Sequence, residues 1–187
     1  MAAAPQVKPG DAVYTGAGSL DERMKLIAYT LQKSVQDPWA HEFVSALVRD
    51  LPPKDDMAEL HAIFNRLKWP NIRYQFHPRG LDRFQTLRRT ITMGQADCDV
   101  STVAVNTCAH LLGFKTGCDI LFRPGGPWSH IWPIVGFPRE EPRLWIPMEL
   151  TTGPCADGST RPQCAQFGWE IPHEFRGGWR RFFFTLA

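Results

Sequence analysis

No apolar run in this 187-residue chain approaches the roughly 20 residues that a membrane-crossing helix requires, so no membrane partner is expected. An excess of charge of one sign is missing as well. Lys and Arg total 21 against 19 for Asp and Glu, a formal net charge of +2. That leaves no strong field to gather nucleic acid or anionic lipid, and nucleic acid is not expected as a partner. The opening residues, Met1 to Pro9, lack the charged segment and apolar stretch of a secretory leader, which makes a soluble, cytoplasmic protein the expectation. The five cysteines, at 98, 108, 118, 155 and 164, contain no C-x-x-C pair, so neither a metal site nor any other cofactor is expected. There is no internal repeat and no low-complexity tract.

What the chain does have is 43% hydrophobic and 12% aromatic content, enough for one core and too short for two comfortable domains. Residues 1–18, rich in Ala, Pro and Gly, read as a mobile arm, and 19–187 as a single domain. Ser19 followed by Asp21 and Glu22 starts a helix whose apolar positions are Met24, Ile27, Leu31 and Val35. A second helix runs from Pro38 to Leu51 and stops at Pro52-Pro53, and a third covers Asp55 to Leu67. Breakers at Pro70, Pro78 and Gly80 make 69–94 a connection, with a short strand at Ile72 to Phe76. Asp97 caps a further helix from Cys98 to Leu112 that ends at Gly113. Apolar stretches at Phe114–Phe122, Ser129–Val135 and Leu144–Leu150, separated by Pro/Gly-rich turns, give an antiparallel meander, and Trp179–Leu186 adds a last strand. The fold class is therefore α+β, with a helical front half and a sheet behind it.

The chemistry concentrates at Cys98. In the first turn of a helix, unpaired backbone N–H groups and the positive end of the helix dipole favour a thiolate. Asp97 and Asp99 on either side make this a poor core position, and their charges raise the thiol pKa unless a cation sits close. A thiol nucleophile also needs a base and a group that fixes the base's tautomer. A symmetric hairpin turning through Pro138 to Glu141 pairs His130 directly with Glu149, Trp132 with Pro147 and Ile134 with Trp145. His130 and Glu149 then share a face. The oxyanion of an acyl intermediate would take the backbone N–H of Cys98 and a side-chain donor from upstream. Gln95 is the nearest in sequence, and spacing leaves Gln75 and Trp69 open. Cys108 and Cys118, in apolar surroundings, read as inert buried thiols. Cys155 and Cys164 lie where a disulfide would form only in an oxidising compartment. Trp128, Trp132 and Trp145 fit either the core or the wall of a substrate groove.

Four segments stand in a telling order: Gly94-Gln95-Ala96-Asp97-Cys98-Asp99, Leu111-Leu112-Gly113-Phe114, Trp128-Ser129-His130-Ile131-Trp132, and Trp145-Ile146-Pro147-Met148-Glu149-Leu150-Thr151. This order resembles the transglutaminase-like superfamily, especially its bacterial and bacteriophage-associated cysteine peptidases, with motifs close to G-D-C-D-D, S-H-V and W-x-x-L-D-x-T. The likeness covers roughly Leu20 to Thr151. It implies a papain-like core in which the nucleophile helix packs on an antiparallel sheet, with the catalytic roles falling on Cys98, His130 and Glu149. It implies thiol-dependent acyl transfer on a protein or peptide substrate, most simply hydrolysis by a thiol protease. A transglutaminase using an amine acceptor, or a non-catalytic peptide-binding module, for instance in virion assembly, are the alternatives. The chain departs from the pattern twice: Glu149 stands where an Asp is usual, and Val100 where a second acid follows the cysteine.

Overall fold

Each of the first three helices starts where a side chain satisfies backbone N–H groups that have no partner inside the helix. In a computed structural model of the chain, which describes residues 11–16, 19–76, 81–122, 128–154, 160–161, 165–168 and 178–186, α1 spans Leu20–Val35 behind a full capping box. The Ser19 N–H donates to Glu22 Oε2 at 2.7 Å, and the Glu22 N–H donates to Ser19 Oγ at 3.3 Å. Helix α2, Pro38–Val48, follows an Asp37 cap with proline in its first turn. Helix α3, Asp56–Leu67, begins where Asp55 accepts the Ala58 N–H at 2.9 Å. The sequence pattern carries α2 on to Leu51. It ends three residues earlier because Leu51, which precedes a proline, is pushed out of helical geometry, and a turn closes from the Leu51 N–H to the Val48 carbonyl.

The arm expected over residues 1–18 is corrected in part. Ala12–Gly16 forms strand β1, and its register against a later strand runs from Ala12 opposite Gln85 to Gly16 opposite Leu81. The segment A-V-Y-T-G holds three β-favouring residues bounded by glycine, too short a signal to stand out beside an Ala/Pro-rich start. The connection over 69–94 also holds more order than its breakers suggest. It contains β2 (Arg73–Tyr74), β3 (Leu81–Gln85, the partner of β1) and α4 (Leu87–Met93), and leads into β4 (Gln95–Ala96). Gly94 ends α4 at φ +63°, a left-handed turn that glycine adopts without penalty, and its carbonyl accepts the Arg73 N–H at 2.9 Å. That turn brings β2 and β4 together as a parallel pair.

Helix α5, Cys98–Leu111, is the centre of the molecule. Every residue from Asp99 to Ala109 is buried, and Gly113 closes the helix at φ +86°. After it in the chain come β5 (Thr116–Phe122), β6 (Trp128–Phe137), β7 (Leu144–Glu149), the short β8 (Gly153–Pro154) and β9 (Thr160–Arg161), β10 (Gln166–Phe167) and β11 (Trp179–Phe184). The main sheet is antiparallel, in the order β10-β7-β6-β5-β11. One sheet face carries Cys118, Ile120, Ile131, Val135, Ile146 and Met148 onto α5, where they meet Val100, Val103, Ala104 and Cys108. Asn106 fixes the helix against the sheet, its side-chain N–H₂ donating to the Gly117 carbonyl at 2.9 Å. The result is an α+β arrangement of helices on one antiparallel sheet.

Candidate active site

Asp97 determines where Cys98 stands. Its backbone is extended, its Oδ1 accepts the Val100 N–H at 2.9 Å, and α5 begins at the next residue. The thiol sits at the positive end of the helix and faces β6, where the backbone N–H of Ile131 reaches it as a hydrogen-bond donor. This N–H is within reach because the ladder between β6 and β7 runs only from Ile134 to Phe137 on β6, so Ile131 lies beyond the last residue that β7 pairs. The nucleophile candidate thus contacts the strand one residue past His130.

The expected pairing of His130 with Glu149 is realised, by a different register. The ladder pairs Ile134 with Pro147 and Gly136 with Trp145, two residues away from the symmetric count, which had set Ile134 against Trp145 and Trp132 against Pro147. The turn is longer than four residues and closes from the Arg143 N–H to the Phe137 carbonyl at 2.9 Å. Carried on at the same spacing, the register sets Glu149 opposite Trp132. An offset of two keeps side chains on their own faces, so His130 and Glu149 become diagonal neighbours, a distance that a long side chain spans. Glu149 spans it: His130 Nε2 and Glu149 Oε2 are 2.5 Å apart. The methylene that glutamate has over aspartate supplies the reach.

The carboxylate is fixed from its other end. Glu149 is 1% exposed, and its Oε1 accepts the Thr151 N–H at 2.6 Å, the Thr151 hydroxyl at 2.7 Å and the Thr152 N–H at 3.0 Å. With both oxygens engaged, the acid holds one orientation, and Nε2 of the imidazole is committed to it. Nδ1 is then the nitrogen left to face a nucleophile. The ring is held on its side by Trp132, centroids 5.6 Å apart.

The electrostatics around the thiol are unfavourable to a free thiolate. Burial pushes the Cys98 thiol well above the ordinary cysteine range, and Asp99, Asp97 and Glu149 push the same way; the Ile131 N–H acts against them. Asp99 is itself held well above the carboxylate range by burial and by Asp97 beside it, with Arg23 opposing from 4.0 Å. Arg23 also pairs with Asp82. Every influence on this sulfur but the Ile131 N–H favours S–H over thiolate.

The remaining candidates fall elsewhere. Gln95 belongs to β4, and strand alternation turns its side chain to the face opposite Ala96; Gln75 alternates in the same way, and Trp69 is 51% exposed. Tyr74, directly opposite Ala96, is the upstream side chain that reaches the charges of Cys98, Asp97 and Glu149. A two-residue parallel strand leaves no periodicity from which to read that placement. Asp119, the other acid near His130, is fully buried and bound by Arg181 through Nε at 2.7 Å and Nη2 at 2.8 Å. Cys108 and Cys118 are fully buried, and burial raises the Cys108 thiol to about 12. Trp132 is core, packed with Leu121, Ile134 and Trp145. The Trp128 side chain and the Cys155 and Cys164 pair lie outside the described residues. Among the described residues no cluster of His, Cys, Asp and Glu side chains is arranged to hold a metal ion, and no helix is long and apolar enough to cross a membrane. Neither protein-family models nor curated proteins match this chain.

Proposed function

We propose that this chain is a cytoplasmic, thiol-dependent acyl-transfer enzyme that hydrolyses a peptide or amide bond, a cysteine peptidase of the transglutaminase-like superfamily with a papain-like core. The observation that carries this reading is the 2.5 Å contact between His130 Nε2 and Glu149 Oε2, on a strand whose next residue, Ile131, donates its backbone N–H to the cysteine that starts a buried helix. A core histidine has no need of a carboxylate whose other oxygen is bound by three donors. An imidazole that must hold one tautomer while its second nitrogen moves a proton does.

In this cycle His130 Nδ1 takes the thiol proton as the sulfur electron pair forms a C–S bond and the carbonyl π pair moves onto oxygen. Collapse of that intermediate re-forms the carbonyl and breaks the C–N bond, and the nitrogen leaves with the proton from His130. Water then adds to the thioester and gives a proton to His130. The C–S bond breaks, the carboxylic acid departs, and the proton returns to sulfur. The raised thiol pKa fits proton transfer in step with attack, in place of a standing ion pair.

The test is incubation of the chain with glutamine-containing peptides and a labelled primary amine. The expected result is new amino termini or carboxylates that disappear in Cys98→Ser. Incorporation of the amine without net hydrolysis would make the enzyme a transglutaminase. Peptide binding with no thiol-dependent turnover would make it a binding module.

A further inference from the structure

An acyl transfer of this kind, on which the following rests, places negative charge on the carbonyl oxygen as sulfur attacks, and that oxygen needs donors already in position. The backbone N–H of Cys98 is one. The second has to come from an element lying against the start of α5, and β2 is that element.

The β2–β4 ladder is parallel, with Arg73 opposite Gln95 and Tyr74 opposite Ala96, and it is clamped by the Arg73 N–H to Gly94 carbonyl bond at 2.9 Å and the Gln75 N–H to Ala96 carbonyl bond at 3.0 Å. Side chains directly across a ladder share a face, so Tyr74 lies on the side of Ala96, two residues before Cys98. Ala96 is 2% exposed and offers a methyl group only, so no bulky side chain stands directly across the ladder from the tyrosine. Phe76, on the same side of the strand, meets the Tyr74 ring edge-on at 4.8 Å and 82°, limiting its rotation. The side chain is half-buried, and the charges of Cys98, Asp97, Glu149 and Asp99 all act on its phenol.

We propose that Tyr74 is a catalytic residue of the acyl transfer, its phenol O–H donating a hydrogen bond to the substrate carbonyl oxygen as Cys98 attacks the carbon. Burial, followed by the charges of Cys98, Asp97 and Glu149, holds the phenol above its ordinary range, which keeps the proton on it as a hydrogen-bond donor at neutral pH. The same charges explain why the donor is neutral: a lysine or arginine there would pair with Asp97 or Glu149 and pull the triad apart.

Two reagents that differ only in whether an oxyanion forms separate this role from others. p-Nitrophenyl acetate acylates a thiol through a tetrahedral oxyanion: the C–S bond forms, the C–O bond to the aryl group breaks, and p-nitrophenolate leaves. Iodoacetamide alkylates the same sulfur by displacing iodide and forms no oxyanion. In Tyr74→Phe the burst of p-nitrophenolate from Cys98 falls about a hundredfold, while alkylation of Cys98 keeps its wild-type rate, which also shows that the site is folded. Equal burst rates in the two proteins would overturn the proposal. A parallel fall in both reactions would overturn it too, by making Tyr74 a partner of the thiol. Wild-type Cys98 that takes neither reagent would overturn the acyl-transfer reading itself, and this proposal with it.

Discussion

A cysteine between two aspartates is an expensive arrangement, and its cost falls on Asp99. The Asp99 side chain is 4% exposed, and its nearest cation, Arg23, is 4.0 Å away and already paired with Asp82. Its folded carboxyl is held well above the unfolded value of about 3.9. At pH values below that, the folded and unfolded chains are both protonated and nothing is lost. As pH rises the unfolded chain ionises first, so native stability declines from about pH 4 toward the raised folded value. Asp99→Asn should therefore melt above the wild type at pH 7 and together with it near pH 3. A variant that melts lower at pH 7 would mean that the Arg23 pairing outweighs the burial of charge. The His130–Glu149 contact was the most legible part of the site. Cys98, His130 and Glu149 are each marked by neighbours, whereas Tyr74 acquires its place only through a ladder of two residue pairs.

Elements were legible where a cap or an apolar stretch announces them, and less so where geometry depends on a turn. The three front helices and α5 start at Ser19, Asp37, Asp55 and Asp97, each accepting a backbone N–H from the first turn. Strands β5, β6, β7 and β11 follow the apolar stretches. The β6–β7 register did not follow from sequence, because counting assumed a symmetric four-residue turn and the chain spends six residues between Phe137 and Leu144. The face assignment survived, since an offset of two preserves parity. The corrected register bears on the glutamate. Glu149→Gln keeps an oxygen for Thr151 and Thr152 but offers His130 an amide N–H₂ in place of an acceptor, which moves the imidazole proton to Nδ1. Turnover should fall about 10⁴-fold with the melt unchanged. Glu149→Asp should lose about a hundredfold in turnover, because the shorter acid cannot cross the diagonal. Full activity of the aspartate variant would show that β6 slides to meet it.

At the scale of the molecule, one residue ties the helical half to the turn that sets this register. Arg139, in the β6–β7 turn, donates from its backbone N–H to Asp56 Oδ2 at 2.9 Å and from Nη2 to Asp56 Oδ1 at 2.6 Å and Glu59 Oε2 at 2.5 Å, all on α3. Its Nη1 donates to the Leu112 carbonyl at the end of α5 at 2.6 Å, and its guanidinium lies 4.4 Å from the Phe114 ring centre. Arg139→Ala leaves two carboxylates without their cation. It should cost about 2–3 kcal/mol, discounted for partial exposure, which is a melting temperature about 5–10 °C lower for a chain of this size. A melt within one degree of wild type would mean that the turn holds itself.

Every step of the proposed acyl transfer depends on Cys98 as the nucleophile. The direct measurement is intact-protein and peptide mass spectrometry after incubation with an activated acyl probe, p-nitrophenyl acetate, on wild type and Cys98→Ser in parallel with thermal melts. The predicted result is a single acetyl adduct mapped to Cys98, its loss in a Cys98→Ser protein that melts like wild type, and no adduct on the fully buried Cys108 or Cys118. An adduct that persists unchanged in Cys98→Ser, or that maps to a different cysteine, would contradict the account.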